Sequence, residues 1–185
     1  MNGRRTMRTL AAAMVILGMA LLTAWPTPAQ AQTGDPSIPP TAELLAGTAD
    51  LPPTSLFILA IKLFGEGRRN EAVKWFYAAQ IRGRFRFAVE PNLPPDGEPA
   101  AYEALFETIG PVINGWAFGD IPGLTAHMTE ALDWDATHAN GLTPKAPNLA
   151  ALERVRSGLV QFRDSLMAQQ DDIRKERAAN GLENR

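Results

Sequence analysis

The sequence predicts an all-α fold: a small helical domain with a repeat-like helical hairpin and a long amphipathic C-terminal helix. Two observations predict it. Apolar residues recur at spacings of three and four in several segments, which is the periodicity of one helix face. Only residues 82–89 show the strict alternation that is typical of a β-strand. The 185 residues are enough for one domain with its own hydrophobic core.

The first residues have the pattern of a secretory signal peptide. Arg4, Arg5 and Arg8 form a basic start, an apolar run extends from Leu10 to Leu22, and small residues surround a predicted cleavage after Ala31. Because the apolar run is too short for a membrane span, we expect no stable membrane anchor. Arg4 and Arg5 also fit a twin-arginine signal, but Arg8 favours the general secretory route. Residues 1–31 therefore predict a protein of the bacterial periplasm, or one secreted beyond it.

The charge and the missing cysteines exclude several classes of function. Residues 1–31 hold three of the 18 basic residues and none of the 20 acidic ones, so cleavage would leave a net charge of about −5. An acidic, exported protein is a poor ligand for nucleic acid or for an anionic membrane surface. With no cysteine in the chain, disulfides, thiolate metal sites and a cysteine nucleophile are excluded.

A proline-rich linker is predicted over residues 32–53, ahead of a helical domain over residues 54–185. Five prolines favour extended and turn conformations in the linker, with a short helix at Ala42–Ala46. The first long helix is predicted to begin near Pro53, with Thr54 or Ser55 as its cap. Its apolar face is predicted to be buried and consists of Leu56, Leu59, Ala60, Leu63 and Phe64.

A second helix is predicted to follow directly and to form a hairpin with the first. Gly65 and Gly67 supply the turn, and Asn70 is the predicted cap. Gly83 is predicted to end this helix. Beyond it, the alternation of residues 82–89 predicts an extended segment with three arginines on one side and apolar residues on the other.

The remaining elements are predicted as helices separated by loops. Their predicted order is a rigid loop at Pro91–Pro99, a helix at Ala100–Ile109, a second short helix started or kinked by Pro111, a helix at Leu124–Asp135, a loop at Ala139–Pro147, and a C-terminal helix that Asn180 and Gly181 stop. The C-terminal helix is predicted to lay one apolar stripe on a core or a partner, and this stripe comprises Leu152, Val155, Leu159, Phe162, Leu166 and Ile173, with a gap at Gln169.

The hairpin from Leu56 to Gly83 resembles the tetratricopeptide and Sel1-like families of helix-hairpin repeats. The residues that carry the resemblance are Leu56, Leu59, Ala60 and Leu63 in the first helix, Gly67 in the turn, and Ala72, Trp75, Phe76, Ala79 and Gly83 in the second. A degenerate second copy is predicted around Gly119, Asp120, Leu124, Met128 and Ala131. The resemblance implies a scaffold for protein contacts, since these families mostly serve that role.

No catalytic residue, metal site or cofactor is predicted. His127 and His138 flank two carboxylates, Asp133 and Asp135, but they lack the tight spacing of a metal signature. The simpler interpretation is a solvated helix end.

The residues predicted to meet a partner are Arg82, Arg84 and Arg86, together with Tyr77. The hypothesis that follows is an exported, non-enzymatic helical protein that binds a protein or peptide of the cell envelope, as a scaffold, adaptor or inhibitor. The alternative is a small envelope enzyme or ligand-binding protein acting on cell-wall fragments. Its aromatic residues would stack on sugars, and they are Trp75, Tyr77, Trp116 and Trp134.

Overall fold

The computed structural model describes residues 38–185, which are helical and contain no strand, so the predicted all-α class is confirmed for them. The predicted signal peptide lies outside the described residues. The helices, in chain order, are α1 (Thr41–Gly47), α2 (Pro53–Gly65), α3 (Arg69–Val89), α4 (Glu98–Ala117), α5 (Ile121–Thr137), α6 (Leu149–Ala168) and α7 (Gln170–Ala179). A short 3₁₀ turn at Ala146–Asn148 precedes α6. Within residues 38–185, no helix combines the length and apolar character needed to cross a membrane.

Helix α3 is the centre of the domain. It packs on α2, α4, α5 and α6, and one continuous hydrophobic core surrounds it. Rings of α2, α3 and α4 meet in this core: Phe57 lies 5.4 Å from Phe76 and 5.1 Å from Tyr102 between ring centroids. Because α3 contacts most of the other helices, its residues reach several different environments along one element.

The turn between α2 and α3 is built as the glycine pattern predicts. Gly67 has a φ of 81°, which is the left-handed region that glycine enters without a steric penalty. The N–H of Gly67 donates to the carbonyl of Phe64 at 3.1 Å, and the N–H of Arg68 donates to that of Leu63 at 2.9 Å. This pair of bonds is a Schellman motif, which satisfies the last free carbonyls of α2 and reverses the chain.

Two predicted helix caps are wrong. Helix α2 begins at Pro53, so Thr54 and Ser55 lie inside its first turn rather than in front of it. Proline suits the first helical position because its φ is already helical and it has no N–H to satisfy. Asn70 likewise lies inside α3, which begins at Arg69.

The predicted end of the second helix at Gly83, and the predicted extended segment after it, are also wrong. Helix α3 continues without interruption to Val89. Gly83 is buried against the ring of Tyr102, and a Cβ added there would lie 2.7 Å from Cδ2 of that ring. The glycine therefore permits the close packing of α4 on α3 instead of ending the helix.

Helix α4 is one element where two were expected. It runs from Glu98 to Ala117 and includes Pro111, which was predicted to start or kink a separate helix. A proline inside a helix removes one backbone hydrogen bond and costs roughly 3 kcal/mol. Burial of Tyr102, Ile109 and Ile113 on the core side of α4 offsets that cost.

The C-terminal helix is divided where its apolar stripe has a gap. Helix α6 ends at Ala168 and α7 begins at Gln170, so Gln169 separates two helices instead of lying within one. Leu152, Leu159 and Leu166 are the buried positions of α6. Gly181 has a φ of 71° and ends the helical region at the predicted place.

The described part of the predicted linker is packed on the domain. Residues 41–47 form α1, and Leu44 of this helix is buried in the core against α2. The hydroxyl of Thr41 donates to the Glu66 carboxylate at 2.5 Å. The domain therefore begins before residue 54, because Leu44 supplies an apolar side chain that completes the end of the core.

The second predicted repeat does not form a hairpin like the first. Helix α5 packs chiefly on α3 and α6, and it contacts α4 only slightly. Asp120 caps α5 by accepting from the N–H of Gly123 at 3.1 Å. The chain around Gly119 and Asp120 is thus a turn between helices, but the two helices that it joins do not pack closely together.

Candidate functional site

The three arginines of α3 meet three different environments. They were predicted to share one side of an extended segment, but successive residues of a helix are about 100° apart, so alternate residues point to different sides. Arg82 is buried with 2 % of its surface exposed, Arg84 is exposed, and Arg86 is half-buried. The helical conformation therefore distributes a basic run among separate sites.

Arg82 lies in a buried ion-pair network and is not available to a partner. Its Nε donates to Oδ1 of Asp135 at 2.7 Å, and Asp135 is fully buried. Its two terminal nitrogens donate to the carbonyl oxygens of Ala49 at 3.3 Å and of Ala139 at 2.9 Å. The guanidinium carbon lies 4.6 Å from the centroid of Trp134, which completes its surroundings with a cation–π contact. The prediction that Arg82 binds a partner is therefore wrong.

Asp135 is the centre of this network, which we call the Asp135 cluster. Besides Arg82, its carboxylate has Lys145 Nζ at 3.3 Å and Arg156 at 3.3 Å. Burial lowers the pKa of Arg82 and of Lys145, while the negative charge of Asp135 opposes that effect in both groups. Three cations thus neutralise and fix one buried carboxylate, and they tie α3, α5, α6 and the loop after α5 together.

Arg86 is also paired, at the surface between α3 and α4. Its Nε lies 2.6 Å from Glu98, and a terminal nitrogen lies 2.9 Å from Glu90. Hydrogen bonding to Glu98 raises the pKa of Arg86, so the group stays charged. Because both carboxylates come from this chain, Arg86 holds the loop between α3 and α4 and offers little to a partner.

A groove runs along α3 between α4 and α6, and we call it the α3 groove. Helices α4 and α6 each pack on α3 without packing closely on each other, which leaves the gap open. Its volume is about 300 Å³. The lining residues are Tyr77, Gln80 and Arg84 on α3, Phe106, Asn114 and Phe118 on and after α4, and Leu159 and Phe162 on α6.

A second hollow lies between α4 and α7, next to the α3 groove. Asn114 and Phe118 line both, and the second hollow has a volume of about 470 Å³. Its other lining residues are Pro111, Gly115, Ile173, Glu176, Arg177, Asn180 and Leu182. The two hollows therefore adjoin at Asn114 and Phe118.

Polar groups in the α3 groove are held in fixed positions. The Tyr77 hydroxyl donates to Oδ1 of Asn114 at 3.1 Å, and Arg84 donates to Oε1 of Gln80 at 3.3 Å. Among residues 38–185, the amide nitrogens of Asn114 and Gln80 form no hydrogen bond. Burial raises the pKa of Tyr77 well above its usual range, so its hydroxyl stays a neutral donor. The groove therefore presents amide donors between aromatic walls.

Two of the four predicted partner-binding residues, Tyr77 and Arg84, are brought together in the α3 groove, and Arg82 and Arg86 are not. Gln80, Asn114 and Phe162 were missed. The sequence does indicate that Gln80 belongs with Tyr77 and Arg84. It lies three residues after the first and four before the second, and residues with these spacings share one helix face. Phe162 was assigned to the core stripe, but 42 % of its surface is exposed.

The aromatic residues that suggested sugar binding are mostly buried. Trp75 and Trp134 pack edge to face in the core at 4.9 Å between ring centroids. Tyr77 exposes little of its ring. Trp116 is half-buried and is covered by the guanidinium of Arg185, 3.8 Å from its ring centroid. No open stacking platform is present among these four residues.

The two histidines have ordinary local partners. His127 lies 3.2 Å from Glu130, and Nδ1 of His138 lies 2.9 Å from the carbonyl oxygen of Trp134. Over residues 38–185, no group of three or more histidine, cysteine or acidic residues could hold a metal ion. The two residues remain parts of the surface of α5 and of the turn that follows it.

Comparisons with protein-family models, with curated proteins and with solved structures find no match for this chain. The resemblance of the α2–α3 hairpin to tetratricopeptide and Sel1-like repeats therefore depends on the residues quoted above.

Proposed function

We propose that this protein is an exported, non-enzymatic helical protein that binds an extended peptide segment of a partner protein in the α3 groove. The observation that carries the proposal is the groove itself, an open channel with aromatic walls and fixed amide groups along the central helix. Binding sites are typically concave and largely apolar, with a few placed polar groups that fix the orientation of the ligand.

The chemistry of the groove suits a peptide more than a small sugar or nucleotide. Phe106, Phe118 and Phe162 offer apolar contact area to side chains. The amide nitrogens of Gln80 and Asn114 can donate to the carbonyl oxygens of an extended backbone. Because these residues lie on packed helices, they are held in place before the ligand arrives, which lowers the entropy cost of binding.

The predicted export signal supports a partner in the cell envelope. An N-terminal segment of the secretory type directs a protein across the inner membrane. A small helical domain with a peptide groove would serve there as an adaptor or as an inhibitor of another protein. Action on cell-wall fragments is not proposed, because Trp75 and Trp134 are buried and no sugar-stacking surface supports it.

A displayed library of random linear peptides, selected on the protein, tests this proposal. We expect selected peptides to bind, and we expect the backbone amide signals of Tyr77, Gln80 and Asn114 to shift in an NMR titration. Phe162→Ala is expected to weaken binding by roughly fivefold or more, since it removes exposed aromatic area from the wall.

Leu149→Ala is the matched control. Leu149 is also an exposed apolar residue of α6, with 63 % of its surface accessible, but it does not line the groove. If selected peptides bound Phe162→Ala as tightly as the unmodified protein, or if Leu149→Ala weakened binding equally, the groove would not be the binding site.

A further inference from the structure

Arg84 differs from the arginines on either side of it because no acidic group pairs with it. Arg82 has Asp135, and Arg86 has Glu90 and Glu98. Among residues 38–185, Arg84 forms no ion pair, and its one hydrogen bond goes to the neutral amide of Gln80 at 3.3 Å. It is thus a cation at the side of the groove that lacks a counter-charge from its own chain.

A buried hydroxyl lies beside Arg84 and also lacks a partner. Tyr102 exposes only 4 % of its surface, and its hydroxyl forms no hydrogen bond within residues 38–185. Burial raises the pKa of Tyr102 to about 12, although the nearby charge of Arg84 lowers it, and Glu103 adds a smaller upward effect. This hydroxyl is enclosed and Tyr102 does not line the α3 groove, so Arg84 is the donor that a ligand in the groove can reach.

The α3 groove contains no acidic side chain that could compete for this donor. Its lining is aromatic, aliphatic or amide apart from Arg84 itself. The other hollow, toward α7, has Glu176 as well as Arg177 in its wall. An excess of positive charge is therefore confined to the Arg84 end, where a ligand carboxylate is favoured and a ligand cation is disfavoured.

We propose that the Arg84 end of the α3 groove is a carboxylate subsite that takes the side chain of an aspartate or glutamate from the bound peptide. Arg84 would donate to the carboxylate as a guanidinium. Apolar residues next to the acidic one would lie against Phe106 and Phe162. This inference rests on the proposed function, since it names the residue that the peptide must present.

The test compares selected peptides with variants in which their acidic residue is replaced by its amide. For the unmodified protein, a Glu→Gln change in the peptide is expected to weaken binding about tenfold, because it removes a charge-assisted hydrogen bond. Arg84→Gln is expected to weaken binding of the acidic peptide by a similar factor and to leave binding of the amide peptide unchanged. This non-additivity identifies a direct pair.

Arg154→Gln is the matched charge control. Arg154 is an exposed arginine of α6 outside the groove lining, so its replacement removes one positive charge without touching the subsite. Tyr102→Phe removes a hydroxyl that does not line the groove and is expected to leave the preference for the acidic peptide over its amide unchanged. If Arg154→Gln weakened binding of the acidic peptide as much as Arg84→Gln does, the subsite would be overturned, since the effect would reflect net charge alone.

Three further outcomes would also overturn the inference. Peptides that depend on Phe162 but show no acidic preference would leave the proposed groove intact and remove its carboxylate subsite. Peptides that lose affinity when their C-terminal carboxylate is amidated, and not when the acidic side chain is changed, would assign Arg84 to a chain terminus instead. Peptides that ignore Phe162 would overturn the groove and the subsite together.

Discussion

The Asp135 cluster and the α3 groove lie on the same helix and use arginine in opposite ways. In the cluster, Arg82 is buried and its donors are matched by Asp135 and two backbone carbonyls. In the groove, Arg84 is exposed and pairs only with a neutral amide. A buried charge must be compensated by groups of its own chain, because it has no water around it. An exposed charge is hydrated and remains free to pair with a ligand. Two residues of separation thus divide a structural role from the binding role proposed for Arg84.

The largest expected effect on stability comes from breaking the Asp135 cluster, compared with a change at a nearby surface residue. Asp135→Ala leaves Arg82 buried without its carboxylate, and we expect it to lower the free energy of unfolding by about 3–5 kcal/mol. Asp133→Ala, at an exposed position of the same helix, is expected to change it by less than about 0.5 kcal/mol. Urea denaturation of both variants measures the difference, and equal midpoints would show that the cluster adds no stability.

Gly83 lies between the two arginines and tests how tightly α4 is packed there. Gly83→Ala places a methyl group against the Tyr102 ring and is expected to destabilise the protein by about 1–3 kcal/mol. Gly158→Ala has open space around the new Cβ and is expected to stabilise α6 by about 0.5–1 kcal/mol. Thermal unfolding of the two variants should shift in opposite directions; a stabilising Gly83→Ala would show that the contact is not tight.

Alkaline titration tests how deeply Tyr77 and Tyr102, the chain's two tyrosines, are buried. Burial raises both pKa values, that of Tyr102 to about 12, so their neutral forms stabilise the fold. This stabilisation is complete below pH ~10, the unfolded pKa, and is lost as the pH rises toward ~12.

Ultraviolet absorbance of tyrosinate should therefore appear only with unfolding, and a Tyr77→Phe, Tyr102→Phe double variant should lose less stability between pH 8 and 11. If tyrosinate formed near pH 10 while the fold persisted, the two hydroxyls would be accessible to solvent and not buried.

The smallest expected effect on stability is that of replacing Arg84. Arg84→Gln is expected to change the free energy of unfolding by less than about 0.5 kcal/mol, because no ion pair is lost. Arg82→Gln should destabilise far more, and Arg86→Gln should fall between them. Urea denaturation of the three variants gives this order. A large effect at Arg84 would mean that it supports the fold and would weaken its assignment to a ligand.

Local signals in the sequence predict much of the fold. The turn at Gly67 and the stop at Gly181 follow from glycine in the left-handed region, which depends on the backbone of a few residues. Gly83 and Pro111 carry the same kind of signal but lie inside helices, because packing on Tyr102 and burial along α4 decide their conformation. Tertiary contacts overrode local preference at both positions.

The candidate site was less accessible to such reasoning. Tyr77 and Arg84 were selected from a basic, aromatic segment, and they do line the α3 groove. Arg82 was selected by the same argument and is buried, because its partner Asp135 lies 53 residues away in the chain. No pattern within a short window indicates which of three arginines has a distant carboxylate.

The Asp135 cluster also has a kinetic consequence. It joins Ala49, Arg82, Asp135 and Arg156, which are far apart in sequence, whereas the α2–α3 hairpin is held by contacts between neighbouring segments. Local contacts form early in folding because they close short loops, so the hairpin is expected to assemble before the cluster. Asp135→Ala should therefore accelerate unfolding more than it slows folding. The cluster would thus form late in folding, and its rupture would control the unfolding rate and so the lifetime of the folded domain.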